Sequence, residues 1–411
     1  MITIHFQPRK NYFLFCANPS CQLENRKQMI RTTFVFLLLI QFTAAVSFAQ
    51  PQKAEADILS LMQQTPVMGL SVAVVKGNKI VYSKALGLKN AETRTPLSAT
   101  DMFRIASISK SFSATAIMQL VEKRKITLDD DVSDLMGFKV RNPQFPETII
   151  TLRMLLSHTS SLNDSEGYFS LDAINPSVNI NWQNCYNSYE PGKRYQYCNL
   201  NFNMVGAIIE KRSGERFDCY VPDHILKPLD LYGGYNVNEL DENRFARLYE
   251  YNTDSAKFIY SATAYAARKE EIANYKTGYS TPIFSPTGGM KMSAPDLAKY
   301  MMMHMSYGKV KGKKRIISKR SSRLMQTPLS GKEYYGLALL KTTKLIAGET
   351  MTGHTGSAYG LYSAMFFEPN KKFGIVVISN GCHPAYENGY NAVIRKTVNI
   401  LYDAIVRGST L

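Results

Sequence analysis

The chain has 411 residues, 45% of them hydrophobic and 20% charged, with 25 Gly and 17 Pro. That is enough apolar material for a large core, and it excludes a disordered tail, a low-complexity array or a small disulfide-stapled module. The formal net charge is +16. Of this, +4 belongs to residues 1–49, which hold Arg9, Lys10, Arg26, Lys27 and Arg31 against Glu24 alone. The remaining bases are scattered. The one dense run, Lys309 to Arg320, lacks interleaved aromatics and reads as a solvated face, with no nucleic-acid partner implied.

In chain order, residues 29–49 come first as a signal. Arg31 precedes an unbroken apolar run from Phe34 to Ile40. Ser47 and Ala49 are small residues placed for cleavage before Gln50. This pattern predicts a secretory signal peptide and an exported protein, periplasmic or secreted, with no membrane span after cleavage. Residues 1–28 upstream of Met29 read as an over-extended start or a leader. Cleavage removes Cys16 and Cys21 and leaves Cys185, Cys198, Cys219 and Cys382. In an exported protein Cys185 and Cys198 can form a disulfide or remain buried thiols.

The mature part begins with an amphipathic helix over Ala54 to Gln64. Two strands, Leu70–Val75 and Lys79–Ala85, follow across a Lys76-Gly77-Asn78 turn, a hairpin signal. A helix is predicted from Ser107 to Lys123, with Ile108, Phe112, Ala116 and Leu120 on one stripe. A short helix opens at Thr151. Residues 163–190 read as loop, and Asn199–Arg212 as a helix ending before Gly214. Residues 240–285 are polar, tyrosine-rich and weakly periodic. Leu361–Phe367 and Phe373–Ser379 form a second hairpin, and Val393, Val398, Leu401 and Ile405 space a final helix. Strands at both ends predict one sheet, from residues 50–100 and 285–411, beside a mainly helical lobe over 101–284. The boundary between the two is the natural place for a site.

Three motifs carry chemistry. Phe103 to Lys110 contains S-x-x-K, which puts Ser107 and Lys110 on one face of a helix. A serine hydroxyl needs a base in reach, and a lysine in an apolar pocket loses proton affinity and can serve. Tyr197-Cys198-Asn199 is Y-x-N, and residues two apart in an extended segment point the same way. Gly353-His354-Thr355-Gly356-Ser357 lets a ligand approach a strand edge at Gly356. The amides of Ser357 and Ser107 would then face an oxyanion together.

Taken together and in this order, the motifs resemble the serine β-lactamase and penicillin-binding-protein superfamily: S-x-x-K, then Y-x-N, then H-T-G. The branch they resemble most holds class C β-lactamases, D-alanyl-D-alanine carboxypeptidases and related esterases. Leu155–Leu162, Glu190-Pro191-Gly192, Gly206–Glu210 and Pro286–Met290 fit the same branch, and the likeness covers about residues 54–405. It implies an α+β fold, with an antiparallel sheet built from both chain ends and flanked by helices, plus a helical lobe. It implies catalysis by Ser107, Lys110 and Tyr197, and substrate binding by Asn199, His354, Thr355, Gly356 and Ser357. Ser107 would be acylated, Lys110 would be its base partner or tuner, and Tyr197 would take and return the proton. No metal or organic cofactor is implied. The expected partner is a small-molecule or peptidoglycan-derived substrate carrying an ester, amide or β-lactam-like bond. Transfer of the acyl group to an alcohol or amine is the rival activity, and a sensor that acylates once is the rival from outside enzymology. There are departures from the family pattern. His354 stands where many members carry lysine, Cys198 fills the middle of Y-x-N, and Ser161 replaces a common glycine. His158 reads as structural.

Overall fold

In the computed structural model, residues 50–330 and 334–408 are described. Residues 1–49, the expected leader and signal segment with Cys16 and Cys21, lie outside them. The central element is a seven-stranded sheet. Its order is Thr95–Pro96, Lys79–Asn90, Val67–Lys76, Phe373–Cys382, Leu361–Glu368, Met351–Ala358 and Leu340–Thr342, with every neighbouring pair antiparallel. The two chain ends therefore meet at the middle of the sheet, where Ala73 faces Val376. Between the first two long strands, Gly77 and Asn78 have φ of 57° and 63°. That is the double left-handed turn that Gly and Asn tolerate and that matches strand twist.

Alternation along the strands divides the apolar residues between two faces. Leu70, Val72, Val74, Ile375 and Val377 pack beneath the helix over 54–64 and the helix Ala392–Leu401. Val75, Met365, Phe367, Val376 and Ile378 join the larger core on the other side, with the helix Ala294–Met305 between sheet and helical region. Met301, Met302, Met303 and Met305 are buried there as packing residues. Because both faces are covered, Phe373–Cys382 is buried at every position.

The helix Ser109–Glu122 differs from the expected single stripe, because every residue from Ser109 to Leu120 is buried. Its serines are satisfied inside: Ser111 donates to Ile108 O at 2.8 Å and Ser113 to Pro286 O at 2.9 Å. Residues 163–190 hold only two short 3-10 turns, Leu171–Ile174 and Trp182–Cys185. Residues 240–285 contain an unexpected hairpin, Tyr249–Asn252 with Lys257–Tyr260.

Glu210 ties the helix Asn199–Ser213 to the segment before the site. Its fully buried carboxylate accepts from Phe217 N at 2.7 Å, Gly278 N at 2.6 Å, Thr281 Oγ1 at 2.9 Å and Tyr275 Oη at 2.5 Å. Glu210→Ala strands all four donors and is expected to cost roughly 3–5 kcal/mol of stability. Urea denaturation measures it, and a loss below about 1 kcal/mol contradicts this account.

Candidate active site

Ser107 sits in a 3-10 turn, Ala106–Ile108, between the short strand Phe103–Arg104 and the buried helix Ser109–Glu122. The chain bends sharply there, and Ala106 is held at φ 49°, a left-handed conformation that costs a non-glycine residue of order 1 kcal/mol or more. The surroundings enforce it. Ile105 N donates to Met290 O at 2.9 Å, and Ser363 Oγ to Ile105 O at 3.1 Å. A Cβ on Gly356 would stand 2.3 Å from Ile105 O and 3.1 Å from the Ala106 Cβ. Only glycine lets the strand Met351–Ala358 press so closely on the turn that presents Ser107.

Lys110 is fully buried one turn on. Its Nζ lies 2.9 Å from Asn199 Oδ1, 2.9 Å from Thr287 O and 3.2 Å from Ser107 Oγ, donating to each. The first two are pure acceptors and must take N–H bonds. In the neutral amine, which has only two, the lone pair is left for Ser107. Burial pushes the Lys110 amine down to about 7, against the opposing pull of Asp164 and Cys198. The neutral form is therefore within reach near neutral pH.

Asp164, which sequence reasoning missed, fixes the Asn199 amide. Its carboxylate accepts from Asn199 N at 2.9 Å, Leu200 N at 2.9 Å, Asn199 Nδ2 at 3.0 Å and Cys198 Sγ at 3.2 Å. It thereby caps the helix Asn199–Ser213 from a distant loop and favours its positive end. With Nδ2 committed to Asp164, Oδ1 must face Lys110 and Thr287, whose hydroxyl donates to it at 2.9 Å. Asn199, expected as a substrate contact, thus holds Lys110 through its amide oxygen while its nitrogen is tied to Asp164. Gly206, two turns along the same helix, lets Pro286 and Thr281 approach where a Cβ would meet them at 2.2 Å and 2.7 Å. That contact brings Thr287 onto the site.

Tyr197 overlies Lys110, its ring centroid 4.7 Å from Nζ. Its hydroxyl is shut off from solvent without a hydrogen bond of regular geometry. Burial raises the phenol's proton affinity, and the Ser107 hydroxyl is near enough to lower it partly. The phenol is therefore protonated at neutral pH. His158 holds this segment as a structural residue. Its Nδ1 accepts from Cys198 N at 3.2 Å, and its ring lies 4.3 Å from that of Tyr197. Burial, with Lys110 nearby, keeps its imidazole well below the usual range and so neutral.

His354 lines the cleft but offers it no cation. Its Nδ1 donates to Thr355 O, so Nε2 accepts from Tyr335 Oη at 2.9 Å. Burial and Lys110 push it down to about 4. Ser107, Tyr197, Asn199, His354, Thr355 and Ser357 share one cleft of about 700 Å³. Gly356 lies behind it, against Ile105. Cys185, Cys198, Cys219 and Cys382 are free thiols, so Cys185 and Cys198 do not pair. Ser161 has φ 61°, a left-handed turn where glycine would sit without strain.

Comparison with known proteins finds relatives of the chain. The Beta-lactamase family profile matches residues 54–399. The Staphylococcus aureus (strain MW2) protein named Protein flp is 24% identical over 350 residues, covering 80% of this chain. The chain spans 63% of that protein's length. The structure of an octameric penicillin-binding protein homologue from Pyrococcus abyssi is 26% identical with a TM-score of 0.67, over 87% of this chain and 77% of the other. EstCE1, described as a hydrolase with promiscuous acyltransferase activity, shares the fold at 19% identity and a TM-score of 0.69, over 86% of this chain and 99% of its own.

Proposed function

The chain belongs to the Beta-lactamase family, of serine-hydrolase type, and from that premise we propose that it is an exported acyl hydrolase that cleaves an ester or amide through an acyl-Ser107 intermediate. The observation that carries the reading is the placement of Lys110. A buried amine with two N–H bonds committed leaves its lone pair to Ser107 Oγ, 3.2 Å away. Lys110 takes the Ser107 proton as Oγ attacks the carbonyl, and the Ser107 and Ser357 amides receive the oxyanion. Tyr197, protonated and otherwise unbonded, passes a proton to the leaving group, and Lys110 restores it. Water then attacks the acyl carbonyl and frees Ser107. Export is supported by the signal-like segment 29–49.

A second reading keeps the first half of this cycle and changes the acceptor. The cleft is walled by Tyr168, Phe169, Tyr195, Tyr335 and Tyr359. These rings favour an organic acceptor over water, which supports acyl transfer alongside hydrolysis.

The test is mass spectrometry of the protein quenched during turnover of p-nitrophenyl butyrate. A butyryl adduct on the peptide containing Ser107, with steady release of p-nitrophenol, is the expected result. An adduct elsewhere, or none during turnover, overturns the reading. Butyl butyrate on addition of butanol separates transfer from hydrolysis. On ethyl butyrate, whose alkoxide leaving group needs a proton, Tyr197→Phe is expected to lower kcat on the order of 10²-fold, the usual range for losing an acid–base group. Unchanged kcat refutes the role given to the phenol.

A further inference from the structure

Arg104 stands three residues before Ser107 and lines its cleft, yet it has no carboxylate partner among the described residues. Its side chain donates to Gly288 O at 3.1 Å and Ala264 O at 3.3 Å, and lies 5.0 Å from the Tyr359 ring centroid. Lys291 is its cross-strand partner in a small antiparallel sheet, only 5% exposed. The Lys291 amine donates to the Tyr235 carbonyl. Arg268 lines the same recess, and its guanidinium makes no hydrogen bond or ion pair among the described residues. Three basic side chains thus converge, two of them met by backbone carbonyls and an aromatic ring and none by a carboxylate among the described residues. Burying cations together without an anion is costly, so the arrangement is incomplete as it stands.

The recess shares Arg104, Phe169 and Ser285 with the Ser107 cleft, so the two lie side by side. It holds about 20 Å³, room for one water-sized group. A separate effector does not fit, whereas one oxygen of a carboxylate carried by a molecule lodged in the main cleft does. Glu250 borders the cleft but not the recess. We propose that the Arg104–Lys291–Arg268 recess is an anion subsite that receives a carboxylate of the substrate while its ester or amide bond lies at Ser107. Burial beside Arg104 and Arg268 depresses the Lys291 amine, and an arriving carboxylate reverses that penalty. The inference rests on the acyl-Ser107 reading for the position of the substrate. It also supplies the anion contact that His354, neutral and engaged at both nitrogens, does not.

The test compares p-nitrophenyl butyrate with the mono-p-nitrophenyl ester of glutaric acid, which ends in a carboxylate. The wild type is expected to favour the glutarate ester in kcat/KM. That preference should fall about tenfold in Lys291→Met and in Arg268→Gln, the latter a half-buried position that spares the core. An unchanged preference in both folded variants overturns the subsite. Calorimetric titration with glutarate at constant ionic strength reads the recess without turnover. Binding to the wild type weakened tenfold or more in either variant supports it, and glutaramide should not bind. Equal or absent glutarate binding in all three proteins overturns it. Loss of turnover on both esters with glutarate binding intact instead removes the Ser107 reading and leaves the anion site standing.

Discussion

Ser107→Ala is expected to reduce kcat/KM for p-nitrophenyl esters by on the order of 10⁴–10⁶ and to abolish labelling by a fluorophosphonate probe. The size follows from geometry. The hydroxyl is the half-buried group toward which the Lys110 lone pair, the Tyr197 phenol and the tight turn at Ala106 all converge. Removing it is expected to leave the fold intact, since the half-buried Ser107 hydroxyl bonds within the site, to Lys110, and fills no core position. The other groups act through it, so their losses do not add. Ser107→Ala combined with Lys110→Met should be no slower than Ser107→Ala alone. Activity within tenfold of wild type in a folded Ser107→Ala protein refutes the nucleophile.

What could be read from the chain alone divides by the range of the interaction. Ser107 and Lys110 are legible because one helical turn fixes their relation. Tyr197 and Asn199 are legible because an extended pair points one way. The paired strands Val67–Lys76 and Lys79–Asn90 are legible because a two-residue Gly-Asn turn is a local event. Asp164 was not, although it holds the Asn199 amide nitrogen. It lies in an aperiodic loop 35 residues before the group it binds, and nothing local marks it. Tyr335 likewise meets His354 across 19 residues, so the chain shows a histidine in a lysine's place but not that its ring is fully occupied. The hairpin at Tyr249–Tyr260 escaped because its outward-facing positions and its left-handed Ala256 resemble loop. Arg104 was visible within the nucleophile motif, but its pairing with Lys291 needs the small sheet that sets them opposite.

Lys110→Met is expected to lower kcat/KM on the order of 10²–10⁴-fold and, unlike an ordinary core substitution, to interact with pH in a predictable direction. As a base, Lys110 works only when neutral. Its folded-state proton affinity is about 7, so wild-type activity should fall about tenfold for each pH unit below 7 and level above it. His354, at about 4, titrates too low to produce that limb, and neutral His158 lies well below its usual range. In Lys110→Met the limb should vanish with the rate. Stability carries the matching sign. The unfolded chain holds a lysine near 10.4 and the folded chain holds it near 7, so between these values the unfolded state binds more protons and wild-type stability rises with pH. Below pH 7 the cost of burying the amine is fully present and of order 5 kcal/mol before its hydrogen bonds are counted. Methionine carries no such cost. The stability of Lys110→Met relative to wild type should therefore be greatest at or below pH 7 and shrink steadily towards pH 10. Denaturant melts at several pH values measure this. A difference independent of pH means that Lys110 keeps an ordinary proton affinity in the folded protein, and then it cannot be the neutral amine that activates Ser107.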